Sequence, residues 1–497
     1  MKTRKFLWAL LPVAAVLLMT ACGGDDADDV TPTPTPNPVT PGTENVVKSV
    51  PYTVTVNTGN VTRTSVDNDD ITLRFEEKDK LYVQNSDGTV YGCLTLKSGA
   101  GETSATFGGT INYTGSTPPD ADTQLTATLV GEGNELVTID TDGKVQPVTY
   151  SNEDVCASME EAVKKYSWIS GETTYGTAAF TLAQKTAFMK FNVTIQDGTA
   201  GDKEVPVKIT LGTDNYEFTK TTTGSQFDAE ISFVLPLAAG TEIAGDASMC
   251  VANVGEDDES ILIGTGSTVT LVGGKVYPVT HTKDFVRLWA NGPLWSTRNI
   301  GATNVTDYGD YYQWGETDPV TNDEDCGWNS SYKFWASGTT NDDVKFTKYV
   351  PTGYPERWGN TESATPDNKV ELEAGDDVAT KKLGSPWRMP TEAEFSNLLS
   401  NTTNAGTTVN SVNGRIFTGT GDYKDKALFL PAAGSKKSTE VSNQNSRGVY
   451  WSSSLSLSPE RTPSYSRDIV FDNEIITIQV TVGPRFQGRS VRAICTN

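Results

Sequence analysis

Residues 187–195 read Ala187-Phe188-Met189-Lys190-Phe191-Asn192-Val193-Thr194-Ile195, and their pattern indicates the fold class of the chain's first half. Every second residue from Ala187 to Ile195 is apolar, so five apolar side chains share one face of an extended segment. This alternation is the pattern of a half-buried β-strand. Asp197 and Gly198 follow at once and end the strand.

The same alternation recurs on both sides of this strand. The alternation recurs at four apolar residues, Val205, Val207, Ile209 and Leu211. Residues 85–88 have the sequence of a turn in an earlier hairpin. One helix is predicted at about residues 153–165. Many short strands with polar turns favour antiparallel β-sandwiches. The length fits two in tandem, which we place at residues 46–170 and 171–285.

A shift in tryptophan content marks a third body. Between residue 46 and residue 285 only Trp168 occurs, whereas eight tryptophans occur from Trp289 onward. Such a shift is hard to produce within one fold. We therefore predict a separate domain at residues 286–497.

The first residues indicate export. Basic residues precede an uncharged, mostly apolar run at 6–18, which is too short for an ordinary membrane-spanning helix. Residues 19–22, ending in Cys22, resemble a lipobox, which implies a signal peptide at 1–21 and a lipid on Cys22. An ordinary signal peptide with a chance cysteine is the alternative.

The segment at residues 22–45 is predicted to be a tether. Alternating Pro and Thr at 31–36 favours an extended polyproline II spacer. The acidic cluster at 25–29 resembles the surface-export signal of some Gram-negative outer-membrane lipoproteins, or is simply a solvated acidic tail. Together these features place a globular body outside the cell, attached to the outer membrane through the lipid.

Charge and composition exclude several functions. The net charge of −23 argues against nucleic acid as a partner, because binding phosphates requires cationic surface. The chain has a single histidine, His281, and no CxxC spacing. Histidine-based triads, zinc sites and thioredoxin-like chemistry are therefore not expected, and we predict no metal and no cofactor.

Several segments between residues 46 and 283 resemble the fimbrillin family, whose members build surface pili. The segments that carry the resemblance are residues 62–65, 75–83, 188–193 and 274–277, in that order behind a lipobox. The resemblance implies tandem transthyretin-like β-sandwiches. It also implies that other fimbrial subunits are partners, through strand exchange.

Strand exchange in this family implies a protease cut that removes the first strand, whose place a neighbouring subunit then fills. In this chain Tyr52, Val54 and Val56 would form the groove-filling face of the removable strand. Arg63 is the candidate cleavage site, with Lys48 as the second choice. Alternatively, Arg63 is a surface residue beside a turn.

Residues 286–497 carry a different set of motifs. Thr391 and Glu394 form the Thr-x-x-Glu pattern of a capping box, and Phe395 begins the apolar stripe of a helix behind it. Buried strands are predicted at 428–434 and 450–454, with a closing strand at 488–495. Asp377 fits a helix N-cap better than a cation ligand. Trp314, Trp387 and Trp451 are expected to pack in the core.

This ordered set resembles an α+β C-type-lectin-like domain of paralogous surface proteins, and the core of formylglycine-generating enzymes. The enzyme family needs closely placed cysteines, but this body offers only Cys326 and Cys495, outside any matching motif. We therefore expect no catalytic residues and no enzyme activity.

The long stretch at residues 316–384 is the predicted contact surface for a surface glycan or a protein ligand. Interleaved aromatic side chains can stack on sugars or anchor in a protein groove. The alternative is a satellite core beneath the loop. The candidate ligand contacts are Trp328, Tyr332, Trp335, Tyr349 and Trp358.

The combined interpretation is a cell-surface fimbrial subunit of the tip-adhesin type. The first two bodies would supply assembly, and the third would contact a host or bacterial ligand. A stand-alone surface lipoprotein that binds glycan or protein without joining a pilus is the alternative function.

Overall fold

The computed structural model describes residues 46–58, 66–67, 70–71, 74–251, 260–321, 326–457, 463–472 and 479–496. The chain is mainly β, as the alternating pattern predicts, and residues from Val47 onward form one compact unit. Within the described residues, no helix combines the length and the apolar composition that a membrane span requires.

The first body is a closed barrel rather than the predicted sandwich. Its strands follow the order β1-β6-β5-β4-β7-β8-β9, and a parallel pairing of β9 with β1 closes it. Its elements are β1 Val47–Thr58, β2 Val66–Asp67, β3 Asp70–Ile71, β4 Lys80–Gln84, β5 Val90–Ser98, β6 Ser104–Thr114, β7 Gln124–Val130, α1 Met159–Tyr166, β8 Ile169–Thr174 and β9 Ala179–Gln184.

The second body has two four-stranded sheets, in the orders β13-β14-β10-β19 and β12-β11-β16-β17, with a small β15-β18 pair. Its strands are β10 Thr186–Ile195, β11 Glu204–Leu211, β12 Asp214–Thr221, β13 Thr223–Ser225, β14 Asp228–Ala238, β15 Glu242–Ile243, β16 Ser248–Val251, β17 Ile261–Leu262, β18 Val269–Thr270 and β19 Val276–Lys283.

The strand at residues 187–195 is confirmed as β10, at the centre of its sheet. Its alternate residues fill the sandwich core, as predicted. The opposite face is covered too: Phe188 is buried with Met159 and Val163 of α1. The helix starts at Met159, later than predicted, where Ser158 caps it by accepting a bond from the Glu161 amide.

The predicted limit at residue 170 between the first two bodies is wrong. Strand β8 begins at Ile169, and β9 pairs with both β8 and β1, so both strands belong to the first barrel. The first body therefore ends at Gln184, and the second begins at Thr186. Strand pairing across the barrel decides this limit, and no local signal marks it.

The third body begins with a four-stranded sheet in the order β20-β21-β33-β24. Its elements are β20 Phe285–Val286, β21 Leu294–Asn299, β22 Trp335–Ser337, β23 Lys345–Phe346, α2 Val378–Leu383, β24 Trp387–Arg388, α3 Glu392–Asn401, β25 Thr403–Val409, β26 Val412–Thr418, β27 Ala427–Pro431, β28 Ser435–Lys437, β29 Glu440–Ser442, β30 Arg447–Leu455, β31 Tyr465–Asp472, β32 Gln479–Pro484, β33 Arg492–Cys495 and short 3₁₀ turns at Pro355–Arg357 and Gly421–Tyr423.

Local signals in the third body are confirmed. Helix α3 carries the predicted capping box between Thr391 and Glu394, and Asp377 caps α2 by accepting the Thr380 amide at 3.0 Å. Trp314 and Trp451 are fully buried. Trp387, which was expected to pack in the core as well, is only half-buried.

A buried ionic cluster joins the second and third bodies. Asp197, at the end of β10, has no exposed surface, and it lies 3.0 Å from the ammonium of Lys283 and 2.7 Å from that of Lys426. The Thr199 hydroxyl donates to the same carboxylate at 2.5 Å. Burial by itself raises the pKa of Asp197, but the two lysines outweigh it and hold this pKa well below its usual range.

The backbones of the two bodies meet beside this cluster. The Ala427 amide donates to the Asp197 carbonyl at 2.8 Å. Gly198 has φ +88°, and a Cβ there would lie 2.4 Å from the Ala427 nitrogen. Only glycine therefore allows this close approach.

We expect Gly198→Ala to destabilise the junction by about 1–3 kcal/mol, because the added methyl group collides with Ala427 in addition to the positive-φ strain. Gly212→Ala is the matched control, since Gly212 has φ +66° with nothing within 4 Å of the new Cβ. Chemical denaturation followed by tryptophan fluorescence measures both. Equal losses in the two variants would show that the close approach is unimportant.

Candidate functional site

Strand β1 fills the seam of the first barrel. Eleven of its residues, Val47 to Asn57, are in antiparallel register with β6, and its last four residues pair in parallel with β9. The strand is therefore hydrogen-bonded along both edges near its carboxyl end. Its removal would leave the facing edges of β6 and β9 without their partner.

The structure brings Tyr52, Val54 and Val56 together on the core face of β1. Their relative exposures are 7%, 1% and 0%, and they belong to one apolar cluster with Phe107. The Tyr52 ring stacks on Tyr175 at a centroid distance of 5.3 Å. These three side chains thus fill the core of the first barrel.

Two predicted site residues lie outside the described residues. Cys22, the predicted lipidation site, belongs to the segment before residue 46, and Arg63, the predicted cleavage site, belongs to residues 59–65. Lys48, the second-choice cleavage site, lies within β1, where its ammonium donates to the Ser116 carbonyl at 3.3 Å. A cut at Lys48 would leave most of β1 in the barrel.

Three of the five predicted ligand contacts are core residues. Trp328, Tyr332 and Tyr349 have relative exposures of 7%, 1% and 0% and sit in one apolar cluster. Their polar atoms are also used internally: the Tyr332 hydroxyl donates to the Trp314 carbonyl at 3.0 Å. These three residues therefore form a satellite core beneath the loop, which was the alternative interpretation. Rings enclosed by other aromatic side chains present no face to a ligand.

Trp335 and Trp358 remain partly exposed at the rim of that cluster. Both are cross-strand neighbours of the buried Phe346, Trp335 by antiparallel pairing and Trp358 by a parallel bridge. Paired residues project to the same face of a sheet, so the two indoles flank Phe346. Their N–H groups donate to Gly338 and Ser363 carbonyls at 2.7 and 2.8 Å, which leaves ring surface for contact.

The acidic residues of this region are engaged in structure. Asp376 accepts bonds from Lys333 at 2.7 Å and from the Tyr349 hydroxyl at 2.6 Å, and it also pairs with Lys348. Burial raises the pKa of Asp376, but the bonds from the two lysines outweigh it and lower this pKa. Among the described residues, no group of three or more His, Cys, Asp or Glu side chains is placed to hold a metal ion.

No protein-family model matches the chain, and the search of curated proteins gives no match. Solved structures with some similarity include a candidate cell adhesion protein from Bacteroides ovatus, with 14% identity and TM-score 0.24 over 47% of this chain and 92% of that one. A candidate adhesin from the same species has 11% identity and TM-score 0.27, over 50% and 92%. The fimbrial anchor protein Mfa2 from Porphyromonas gingivalis has 11% identity and TM-score 0.24, over 50% and 97%. Similarity at this level assigns the chain to no family.

Proposed function

We propose that this protein is a cell-surface fimbrial subunit, of the tip-adhesin type, which is assembled by strand exchange in its first barrel and contacts a glycan or protein ligand through its third body. Export to the outer membrane as a lipoprotein, with the lipid on Cys22, accompanies this function. No cofactor and no enzyme activity are part of it.

The position of β1 carries the proposal. Burying side chains such as Val54 and Val56 is worth roughly 1.5–3 kcal/mol each, so a barrel without β1 exposes a costly apolar groove. A strand with the same alternation would restore both the backbone bonds and the three buried side chains. Arg63 follows β1 closely in sequence, where a protease would release it.

The third body supports the contact role. Trp335 and Trp358 present ring surface at its rim, and indole rings supply large contact areas at low entropic cost. The buried cluster of Asp197, Lys283 and Lys426 joins this body to the second one.

A stand-alone surface lipoprotein that binds glycan or protein is the second candidate function. The observation in its favour is the barrel itself, which is closed with β1 in place and paired along both edges. In this case β1 is a permanent strand, and cleavage at Arg63 does not occur.

Intact-mass and amino-terminal analysis of the protein recovered from its cell surface separates the two candidates. Under the fimbrial proposal we expect a new terminus at Thr64, with β1 absent from the polypeptide. A lipidated Cys22 still joined to the entire chain would establish the stand-alone alternative instead.

A peptide with the sequence of β1, residues 47–58, is expected to bind the chain that starts at Thr64 and to raise its thermal stability. Val54→Asp in the peptide should weaken binding by roughly 100-fold, because a buried, unpaired carboxylate costs about 3 kcal/mol or more. Isothermal titration calorimetry measures this effect.

Thr53→Asp in the same peptide is the matched control. The Thr53 side chain is exposed, whereas Val54 is 1% exposed, so the two substitutions place the same charge on opposite faces of the strand. Equal weakening by both peptides, or no binding by the unmodified peptide, would contradict strand replacement in this groove.

A further inference from the structure

A pocket in the third body has one apolar wall and one polar wall. It encloses about 380 Å³, which is within the range of small-molecule sites. Leu383, at the end of α2, and Trp387 of β24 supply the apolar wall. Arg298 and Asp310 are on the polar wall, and Lys382, next to Leu383 in α2, also lines the pocket.

The apolar wall is unusually open for such side chains. Leu383 is 47% exposed, and Trp387 is half-buried. The Trp387 indole N–H has no hydrogen-bond partner in the described part of the chain, in contrast to those of Trp335 and Trp358. This indole therefore offers both a ring face and a free donor to a molecule in the pocket.

The polar wall holds a carboxylate in a fixed position. Tyr312 as a whole is 1% exposed, and its hydroxyl donates to Oδ2 of Asp310 at 3.1 Å. Gly301 lies beneath this carboxylate, and a Cβ there would come within 2.2 Å of Oδ2. Oδ1 of Asp310 makes no hydrogen bond within the described ranges, so an oriented acceptor remains available.

The charges in the pocket balance. Asp284 forms an ion pair with Arg298, and Arg298 also donates to the Thr303 carbonyl at 3.0 Å. Asp310 and the exposed Lys382 contribute one charge of each sign. A neutral ligand with several hydroxyl groups fits this arrangement better than an anion or a cation, because neither sign of charge is in excess.

From this arrangement we infer that the pocket binds a neutral pyranose sugar, with the sugar's C–H face on Trp387 and its hydroxyls donating to Asp310 and accepting from the Trp387 indole N–H and Lys382. The inference rests on the proposed contact function of the third body. It moves the principal contact from the rim aromatics Trp335 and Trp358 to Trp387.

The test is binding of methyl glycosides of glucose, galactose, mannose and N-acetylglucosamine to the full chain, measured by saturation-transfer-difference NMR and titration calorimetry. We expect at least one glycoside to bind. Asp310→Asn and Trp387→Ala should each weaken binding by about ten-fold or more, which corresponds to the loss of one good polar or stacking contact.

Trp387→Phe is a second variant that preserves packing, since it keeps an aromatic ring and removes only the indole N–H. We expect it to weaken binding less than Trp387→Ala. Trp168→Ala, at a half-buried tryptophan of the first body, is the control and should leave binding unchanged. If Trp358→Ala abolishes binding while Asp310→Asn retains it, the pocket is wrong although glycan contact by this body stands. If the wild-type protein binds none of the four glycosides, the inference is overturned, while assembly through β1 is judged by the peptide experiment alone.

Discussion

Asp197→Asn is expected to destabilise the protein by about 3–5 kcal/mol at pH 7, which would be the largest single-residue effect at the junction of the second and third bodies. The substitution leaves the ammonium groups of Lys283 and Lys426 facing each other without the carboxylate between them. Removing one partner from a buried ionic cluster has a cost of this size. Guanidinium denaturation, followed by tryptophan fluorescence, measures the loss.

The pH dependence of stability in the same variant tests whether the lost charge of Asp197 causes the destabilisation. The pKa of Asp197 is lowered in the folded protein, so its contribution is fully present above the unfolded pKa of about 4 and is lost as the pH falls toward the folded pKa. The difference in stability between wild type and Asp197→Asn should therefore be constant from pH 7 to pH 5. It should shrink below about pH 4.

Glu132→Gln is the matched control for charge removal. Glu132 pairs with Lys78 at 2.7 Å, but both side chains are more than half exposed, so solvent already screens the pair and little stability should change.

A second check is a triple variant, in which Leu replaces Asp197 and Met replaces both Lys283 and Lys426. This variant should recover much of the loss, since an apolar cluster of similar volume avoids the desolvation of three charges. A loss as large as that of the single variant would contradict this account.

Arg492→Leu is expected to cost about 3 kcal/mol in the third body. Arg492 is fully buried, and it donates at 3.0 Å to the Asn299 side chain and to the carbonyls of Ser296 and Phe429. Its guanidinium thereby links β33 to β21 and β27. Each acceptor left without a donor costs roughly 1–3 kcal/mol, and relief of the buried charge offsets part of the sum.

Arg485→Leu provides the comparison, because Arg485 is equally buried but poorly bonded. It lies 3.7 Å from the Phe346 ring centroid, and its contacts to the Lys348 and Tyr349 carbonyls are 3.5 and 3.4 Å long. Within the described ranges, its Nε and Nη2 atoms have no hydrogen-bond partner. Burial lowers the pKa of this side chain. We expect little or no loss of stability on replacement, measured by the same denaturation experiment, and equal losses in the two variants would show that hydrogen bonding is not the deciding factor.

Much of the candidate site in the first barrel could be predicted from the sequence. The alternation of Tyr52, Val54 and Val56 identifies one face of a strand, and that face is buried. The aromatic contacts of the third body could not be sorted in this way. Trp328, Tyr332 and Tyr349 share the local composition of Trp335 and Trp358, and whether a ring is covered depends on residues as distant as Arg485 and Phe486.

Features that involve residues close together in the chain could be predicted from local sequence patterns. A period of two places side chains on alternate faces of β10, and a Thr-x-x-Glu spacing closes the capping box of α3 within one helical turn. Tertiary packing sets three features that local patterns do not predict: the closure of the first barrel by β9 against β1, the exposure of Trp387, and the contact of Asp197 with Lys426. These features join residues far apart in the chain, and their energies come from desolvation, packing and charge in the folded interior, which local sequence patterns do not encode.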